Sequence, residues 1–290
     1  MPGSPYTDLD RPPLSQRRLQ RALVTPHGPW RRLVLKAETG STNADAVAAA
    51  ISGEPEGLVV VADQQTAGRG RLGRTWISPP RAGLATSVLL RPGQADPGCG
   101  WPAAPATSYG WLPLLAGVAL VAAVDRLAGL DATLKWPNDL LVADAKCGGI
   151  LAEVVPGGNG TPPAVVVGIG LNVTLRRDEL PTTPTGLPAT SLQLAGAEAT
   201  DRDPLLRALL RELFARYDRW RTAGADPQAC GLRDAYLRSC ATVGREVRVL
   251  LPNGEELTGT ASTVDADGRL VVRAGGRDRA VAAGDLVHLR

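Results

Sequence analysis

The stretch QTAGRGRLGRTW, residues 65–76, constrains the fold more than any other part of the chain. Its glycines have the spacing G-x-G-x-x-G that is typical of dinucleotide-binding folds, and a predicted strand, residues 57–64, precedes it. That fingerprint requires a helix directly afterwards, because the pyrophosphate binds the free N–H groups of the helix N-terminus. Pro79 and Pro80 follow shortly instead, and two consecutive prolines do not fit a helix interior. We therefore exclude a dinucleotide-binding fold for this segment.

The same stretch, called the arginine loop below, has the residues of a different anion-binding element. Arg69, Arg71 and Arg74 alternate with its glycines. Each planar guanidinium can hold phosphate or carboxylate oxygens bidentately, and glycine lets the backbone fold closely over a ligand. We expect this loop to become ordered over bound ligand. A solvated basic loop is the alternative that this stretch alone leaves open.

The bulk properties exclude several classes of protein. A chain of 290 residues predicts one large or two smaller domains, at roughly 150 residues each. The formal charge of +3 is small, so neither nucleic acid nor a membrane surface is a predicted partner. The N-terminus lacks the apolar segment of a secretory signal. The longest apolar run, residues 111–124, is interrupted by Pro113 and is shorter than the about 20 residues that span a bilayer, which favours a buried helix.

The cysteines and lysines add two observations. None of the four cysteines has C-x-x-C spacing, and without a secretory signal they predict free thiols in a cytoplasmic protein. Only three of the 32 basic residues are lysines: Lys36, Lys135 and Lys146. In a chain this rich in arginine, a lysine can mark a position that needs a compact ammonium group. Two of the three lie in motifs described below.

Hydrophobic periodicity and capping residues predict alternating helices and strands before the last 50 residues. Ser15, and Ser41 or Thr42, are predicted helix N-caps, and Asp203 with Pro204 is predicted to open a long amphipathic helix. The predicted strands are 31–38, 57–64, 83–91, two pieces within 132–142, and a hairpin of 146–155 with 163–173; the other predicted helices include 16–23 and 111–129.

From about residue 241 the pattern changes to short alternating strands. The dipeptides Asn253-Gly254 and Asp267-Gly268 are strong hairpin signals. About five strands in this segment predict a small barrel attached to the larger domain.

Five sequence blocks occur in a defined order along the chain. They are GSTN (40–43), the arginine loop (65–76), KWPND (135–139), KCGGILAE (146–153) and GIGLNV (168–173). In order and approximate spacing they strongly resemble the biotin protein ligase family, over about residues 35 to 175, and the terminal small barrel matches too. The combination of the arginine loop with KWPND is the most specific part of the resemblance.

The resemblance implies an α+β fold. The catalytic domain would be class II aminoacyl-tRNA synthetase/biotin synthetase-like, with a mixed sheet and helices, over residues 1–238. The C-terminal domain, residues 239–290, would be an SH3-like small β-barrel.

The resemblance also implies the reaction. ATP and biotin would give biotinyl-5′-AMP and pyrophosphate, and biotin would then pass to a lysine of the biotin carboxyl carrier protein of acetyl-CoA carboxylase or a related carboxylase. Mg²⁺ would accompany ATP. Joining a carboxylate to a phosphate brings negative charges together, so positioned cations and backbone donors meet the main chemical demand. An acyl-adenylate also has to be protected from water.

Residue roles follow from matched positions in the family. The residues implied in catalysis are Lys146, Arg69 and Asp139. Those implied in biotin binding are Ser41, Thr42, Asn43, Gln65, Arg69, Gly70, Arg71 and Lys146. Those implied in ATP binding are Arg71, Arg74, Trp76, Asn138 and Asn172. Taken singly, these residues also have purely structural interpretations. The block GSTN could cap a helix, Trp76 could pack in the core, Asn138 and Asp139 could form a turn, and Lys146 could lie on the surface.

The histidines, Cys147 and the N-terminal segment lead to three further expectations. His27 and His288 lie far from every motif in the sequence, which disfavours histidine-based acid–base or zinc chemistry. Cys147 and Gly148 stand where the family usually has an apolar residue and alanine, and Cys147 is expected to make activity sensitive to oxidation or alkylation. The about 35 residues before the first motif strand are too few for a winged helix, so we expect a ligase without repressor function.

Two rival functions remain open at this point. A lipoate or octanoate ligase would share the fold, but we do not expect it to contain the arginine loop. A non-enzymatic regulator that binds biotin or an adenylate would have no use for a lysine placed at the α-phosphate.

Overall fold

The computed structural model describes residues 11–25, 28–158, 160–182, 187–251 and 253–289. In these ranges the chain forms a seven-stranded mixed sheet with helices on both faces, followed by a five-stranded antiparallel sheet. The α+β prediction is confirmed.

The larger sheet has the strand order β1-β2-β3-β7-β6-β5-β4. Only β1 and β2 pair in parallel, and the remaining neighbours are antiparallel. The predicted hairpin is β6 with β7, and both lie in the interior of the sheet. The strands are β1 (Arg32–Lys36), β2 (Leu58–Ala62), β3 (Gly83–Leu90), β4 (Ala132–Lys135), β5 (Asp139–Val142), β6 (Ala145–Val155) and β7 (Ala164–Asn172).

Two helices begin at the predicted caps. The Ser15 hydroxyl accepts a hydrogen bond from the Arg18 N–H at the start of α1 (Gln16–Leu23), and Ser41 caps α2 (Thr42–Ile51) in the same way through the Ala44 N–H. These caps satisfy backbone donors that the first turn of a helix leaves without partners.

Helix α3 (Trp111–Ala128) is the predicted buried helix. Its segment is long and apolar enough to cross a membrane by length and composition, but most of it is packed inside the protein. It lies between the sheet and α4 (Arg202–Thr222), which bury a common core. Helix α4 begins slightly earlier than predicted, with Asp201 as its cap, so Pro204 lies in its first turn. Proline has no N–H, and the N–H groups of the first turn have no acceptor within the helix, so the helix loses no hydrogen bond there.

Side chains alternate along the central strands, so the hydrophobic core is divided between the two faces of the sheet. Val59 and Val61 pack on the face covered by α3 and α4, whereas Leu58 and Val60 pack on the face covered by α2. A short helix, α5 (Leu232–Ser239), leads to the C-terminal sheet; the sequence patterns did not predict it.

The C-terminal sheet is the predicted small barrel, with the order β11-β10-β9-β8-β12. Its hairpin turns have Gly254 and Gly268 at φ of 84° and 81°, which suits glycine. The barrel packs against the larger domain, since the Trp111 indole N–H donates to the Ala266 carbonyl at 2.7 Å. Its strands are β8 (Glu246–Leu250), β9 (Glu256–Val264), β10 (Leu270–Ala274), β11 (Arg277–Val281) and β12 (Asp285–His288).

Candidate active site

A cavity of about 450 Å³ lies on the α2 face of the sheet, and all five sequence blocks line it. On β7, Ala164 and Val166 pack under α2 as part of the core. Gly168 and Gly170 continue the same face of the strand, because side chains alternate along it. Because these two positions have no side chains, other groups can approach the strand backbone at the bottom of the cavity.

Each of the two glycines is approached closely by a predicted ligand-binding side chain. A Cβ at position 168 would lie 2.0 Å from Asn43 Oδ1, and one at position 170 would lie 2.5 Å from Trp76 Cε2. Real Cβ atoms essentially never show contacts this short, so a larger residue at either position would displace the side chain that rests on it. The glycines of GIGLNV therefore let an amide and an indole rest directly on the sheet.

The arginine loop is a small irregular hairpin, with no helix of the kind that a dinucleotide fold needs. The Trp76 N–H donates to the Gly68 carbonyl at 2.8 Å, and Arg69 and Thr75 form an antiparallel bridge. A single 3₁₀ turn lies at its tip, where Leu72 has φ 55°. This geometry confirms the interpretation drawn from the two prolines.

Five cations line the cavity, against two carboxylates. Such an excess of positive charge suits a ligand with several negative groups. The cations are Arg69, Arg71, Arg74, Lys135 and Lys146, and the carboxylates are Asp139 and Asp285.

Lys146 lies at the centre of this charge arrangement. Its Nζ is 2.6 Å from Asp139 Oδ1 and 5.9 Å from the centroid of the Trp76 ring. A Cβ placed on Gly149, three residues further along β6, would lie 3.5 Å from the indole and 3.7 Å from Lys146 Nζ. Lys146 thus joins the KWPND turn, the arginine loop and β6 in one place.

The backbone of Lys146 is also fixed. Its N–H donates to the Pro188 carbonyl at 2.7 Å, and its carbonyl accepts from the Thr190 N–H at 2.9 Å. The Asn172 side chain donates to the Thr190 carbonyl at 2.9 Å. Asn172 is buried beside Lys146 and lines the cavity.

Arg71 links the arginine loop to KWPND, because its guanidinium donates to Asn138 Oδ1 at 3.3 Å. Burial lowers its pKa from the ordinary arginine value, while Asp285 and Asp139 raise it in part. The guanidinium remains charged at neutral pH because arginine does not lose its proton in proteins.

The barrel contributes to the cavity, which the sequence patterns did not predict. Asp285 forms an ion pair with Arg74, and the Leu286 carbonyl accepts a hydrogen bond from Lys135 Nζ at 2.5 Å. Burial lowers the pKa of Lys135. No sequence pattern marked Asp285, which is the first residue of β12.

The remaining predicted biotin-binding side chains form one hydrogen-bonded corner. Gln65 Oε1 accepts from both the backbone N–H and the hydroxyl of Thr42, at 2.8 and 3.0 Å. The Ser87 hydroxyl lies 2.8 Å from Thr42 Oγ1 and 2.6 Å from Asn43 Oδ1. Ser87 was missed by the sequence analysis because it belongs to a strand, β3, outside the five blocks.

His288 lies closer to the site than its sequence position suggests. Its Nε2 is 3.0 Å from Thr242 Oγ1, which accepts a hydrogen bond from the Trp136 N–H at 3.0 Å. His288 is far from every motif in the sequence but lies near KWPND in the fold, because β12 folds back beside it. His27 lies outside the described residues. Burial and the nearby Lys135 lower the pKa of His288 to about 4, so the ring is neutral at pH 7.

Cys147 does not have the environment of a reactive thiol. Its side chain is fully buried, and burial raises its pKa to about 12. Because the thiolate is the reactive form, the structure argues against the expected sensitivity to oxidation or alkylation. The four cysteines are free thiols, as predicted.

Comparisons with known proteins show which families and relatives the chain is similar to. The family described as Biotin/lipoate A/B protein ligase matches residues 39–172, and the Biotin protein ligase C terminal domain matches residues 242–289. A biotin–[acetyl-CoA-carboxylase] ligase from Mycobacterium tuberculosis is 43% identical over 290 residues, covering 98% of this chain and 100% of the relative. The bifunctional ligase/repressor BirA of Escherichia coli is 31% identical over 220 residues, covering 76% of this chain and 63% of that protein.

The chain is also similar to solved structures of biotin protein ligases. The biotin protein ligase of Aquifex aeolicus in complex with biotin and ATP matches with a TM-score of 0.69 and 25% identity, covering 90% of this chain and 100% of that chain.

Proposed function

The chain belongs to the biotin protein ligase family, and from this premise we propose how its residues divide the work of joining biotin to a protein. The enzyme is a ligase with biotin and ATP as its substrates. The observation that most strongly supports the residue roles is one cavity lined by all five sequence blocks, with Lys146 among the lining residues.

The hydrogen-bonded corner is the proposed biotin end. Biotin's ureido group has two N–H donors and one carbonyl acceptor, so it needs both kinds of partner. Ser41, Thr42, Asn43 and Gln65 supply hydroxyl and amide groups here, and Thr42 and Asn43 are almost completely buried. Buried polar partners discriminate strongly, because an analogue that lacks the matching group leaves them unpaired.

The nucleotide end is proposed to lie around Trp76. The indole rests on Gly170 with one face toward the cavity, which supports stacking against adenine. Asn138 and Asn172 lie at the same end and supply amide groups. Arg71 and Arg74 supply positive charge for the phosphates.

Lys146 is proposed to act at the junction, together with Arg69 and Gly70 of the arginine loop. In the first step a biotin carboxylate oxygen attacks the α-phosphorus of ATP, and the bond from that phosphorus to the pyrophosphate oxygen breaks. An ammonium group beside both reactants offsets the negative charge that accumulates in the transition state. The present partner of Lys146, Asp139, would then be exchanged for substrate oxygens.

In the second step, the neutral amine of an acceptor lysine attacks the acyl carbon, the bond from that carbon to the phosphate oxygen breaks so that AMP leaves, and the amine nitrogen releases one proton as the amide forms. Asp139 is the proposed group that assists the acceptor amine, because its carboxylate is the one held directly beside Lys146. The proposed acceptor is a biotin carboxyl carrier protein of acetyl-CoA carboxylase or a related carboxylase. Closure of the arginine loop would exclude water between the steps.

Mg²⁺ fits this site as a companion of ATP. Mg²⁺ in nucleotide enzymes is usually held by one or two carboxylates together with substrate phosphates. Asp139 and Asp285 are the carboxylates that line the cavity, whereas the described part of the chain has no group of three or more acidic, histidine or cysteine side chains suited to a metal. When bound, Mg²⁺ would supply positive charge to the phosphates.

We further propose that the protein acts in the cytoplasm and without DNA, and that the domain boundary lies after residue 238. The boundary falls at the end of α5, just before the chain enters the barrel.

The experiment that tests the proposal is ATP–pyrophosphate exchange with biotin, lipoate or octanoate, for the wild type and Lys146→Ala. We expect exchange with biotin alone and its loss in the variant. Lys36→Ala is the matched control, because Lys36 also pairs with an aspartate, Asp45 at 3.0 Å, but does not line the cavity. No exchange with any acid, despite measurable biotin binding, would refute the assigned roles.

A further inference from the structure

The side-chain amide of Asn43 is held from both ends. Its Oδ1 accepts a hydrogen bond from the Ser87 hydroxyl at 2.6 Å. Its Nδ2 donates to Glu153 Oε2 at 2.6 Å and to the Leu151 carbonyl at 3.3 Å. The amide also lies against Gly168, so it cannot move deeper toward the sheet.

Glu153 determines which way this amide points. A carboxylate accepts hydrogen bonds but does not donate them. If the Asn43 amide were rotated by half a turn, its oxygen would face both the Glu153 carboxylate and the Leu151 carbonyl, three acceptors with no proton among them. The negative charge therefore restricts Asn43 to one orientation, with its oxygen toward Ser87.

The other oxygen of the same carboxylate faces the arginine loop. Glu153 Oε1 is 3.6 Å from a terminal nitrogen of Arg69, an ion pair in which Glu153 is 29% exposed and Arg69 50% exposed. A pair this exposed contributes little stability by itself. The position of this ion pair is more informative, because the pair links the arginine loop to Glu153, the residue that orients Asn43.

We propose that Glu153 is a positioning residue for biotin recognition. It acts through Asn43, whose amide it orients, and through Arg69, which it holds over the same end of the cavity; it does not itself line the cavity. The proposal rests on the biotin end assigned above. It explains the acidic residue that ends the block KCGGILAE, to which the sequence analysis assigned no role.

The test is the variant Glu153→Gln, which keeps the size of the side chain and removes its charge. Its amide can face either orientation of Asn43, so the orienting effect of the carboxylate is lost and only the longer contact with the Leu151 carbonyl remains. We expect the KM for biotin to rise about tenfold, the loss typical of one hydrogen bond to a charged group. The KM for ATP should stay within about twofold, a split that general destabilisation would not produce.

Glu54→Gln is the matched control, because Glu54 forms a comparable ion pair with Arg32 at 2.9 Å and lies outside the cavity. It should leave both KM values unchanged. A double-mutant cycle with Arg69→Gln tests the second contact: the effect of Arg69→Gln on biotin KM should be smaller in the Glu153→Gln background.

Equal biotin KM values for Glu153→Gln and Glu54→Gln would overturn the proposal, as would strictly additive effects in the cycle. If Glu153→Gln melts well below the wild type, Glu153→Asp replaces it; this variant keeps the charge but cannot reach both partners, and it too should raise the biotin KM. Failure of the proposed function would appear differently, as absence of biotin-dependent exchange in the wild type.

Discussion

Replacing Gly170 with alanine adds one methyl group under the Trp76 ring. The new Cβ would lie 2.5, 2.7 and 2.8 Å from three atoms of the indole. Ordinary contact begins at about 3.4 Å, so the ring has to move by roughly 1 Å, since β7 is held on both sides by β3 and β6. The perturbation is therefore directed at the position of the indole.

The expected effect is large on activity and small on stability. A displacement of about 1 Å in a reacting complex can reduce the rate about 100-fold. Overpacking a core typically costs about 1–3 kcal/mol. The lower end applies here, because Trp76 belongs to a partly exposed loop and can move outward. We therefore expect kcat/KM for ATP to fall about 100-fold with a melting temperature only a few degrees below that of the wild type.

Gly149→Ala is the matched control. Gly149 lies directly opposite Gly170 in the β6–β7 pair, and its Cβ would be 3.5 Å from the same indole. The chemical change and the neighbouring ring are the same. The Gly149 Cβ would also lie 3.7 Å from Lys146 Nζ, an ordinary van der Waals contact, so the main difference is the clearance to the indole. Biotin-dependent ATP–pyrophosphate exchange measures both variants. If their kcat/KM values for ATP agree within twofold, the indole does not set the nucleotide geometry and the reasoning is refuted.

Three other outcomes follow from the structure. Gly168→Ala displaces Asn43, whose oxygen would be 2.0 Å from the new Cβ, so it should raise the KM for biotin more than that for ATP; a larger effect on ATP would reverse the assigned ends of the cavity. Because the pKa of His288 is lowered from 6.5 to about 4, only the unfolded ring binds a proton between these values, and the free energy of unfolding should fall as pH falls through that window. Urea titrations should show a weaker pH dependence for His288→Gln, and identical slopes would contradict this. Iodoacetamide should label exposed Cys99 in the native protein and spare buried Cys147 until unfolding, as mass spectrometry can establish; loss of activity in step with Cys147 labelling would be evidence against it.

Local sequence patterns predicted most of the secondary structure. Ser15 and Ser41 cap helices as expected, because capping depends on a hydroxyl and the next three residues. The hairpin glycines Gly254 and Gly268 were predicted for a similar reason, since a positive φ is a local requirement. The short α5 was missed because its eight residues offer only two turns of periodicity.

Prediction of the site was less complete. The five blocks identified many of the side chains that line the cavity but not those of the barrel, such as Asp285. The exclusion of a dinucleotide fold followed from two prolines. Glu153 lay within a recognised block, but its contact with Asn43 joins residues 110 positions apart and could not be inferred from either neighbourhood. Ser87 lay outside every block and became visible only when β3 was placed beside β7.

The sequence by itself thus determined the reaction class, the five blocks that contribute to the cavity and the existence of a terminal barrel, because these depend on residue type and short-range order. Only the tertiary structure decided how the barrel is docked. The indole N–H groups of Trp111 and Trp136 donate to carbonyls of one barrel turn, at 2.7 and 3.3 Å, and this packing brings Asp285 to Arg74. Such contacts depend on the shapes of two folded surfaces, which no single stretch of sequence encodes.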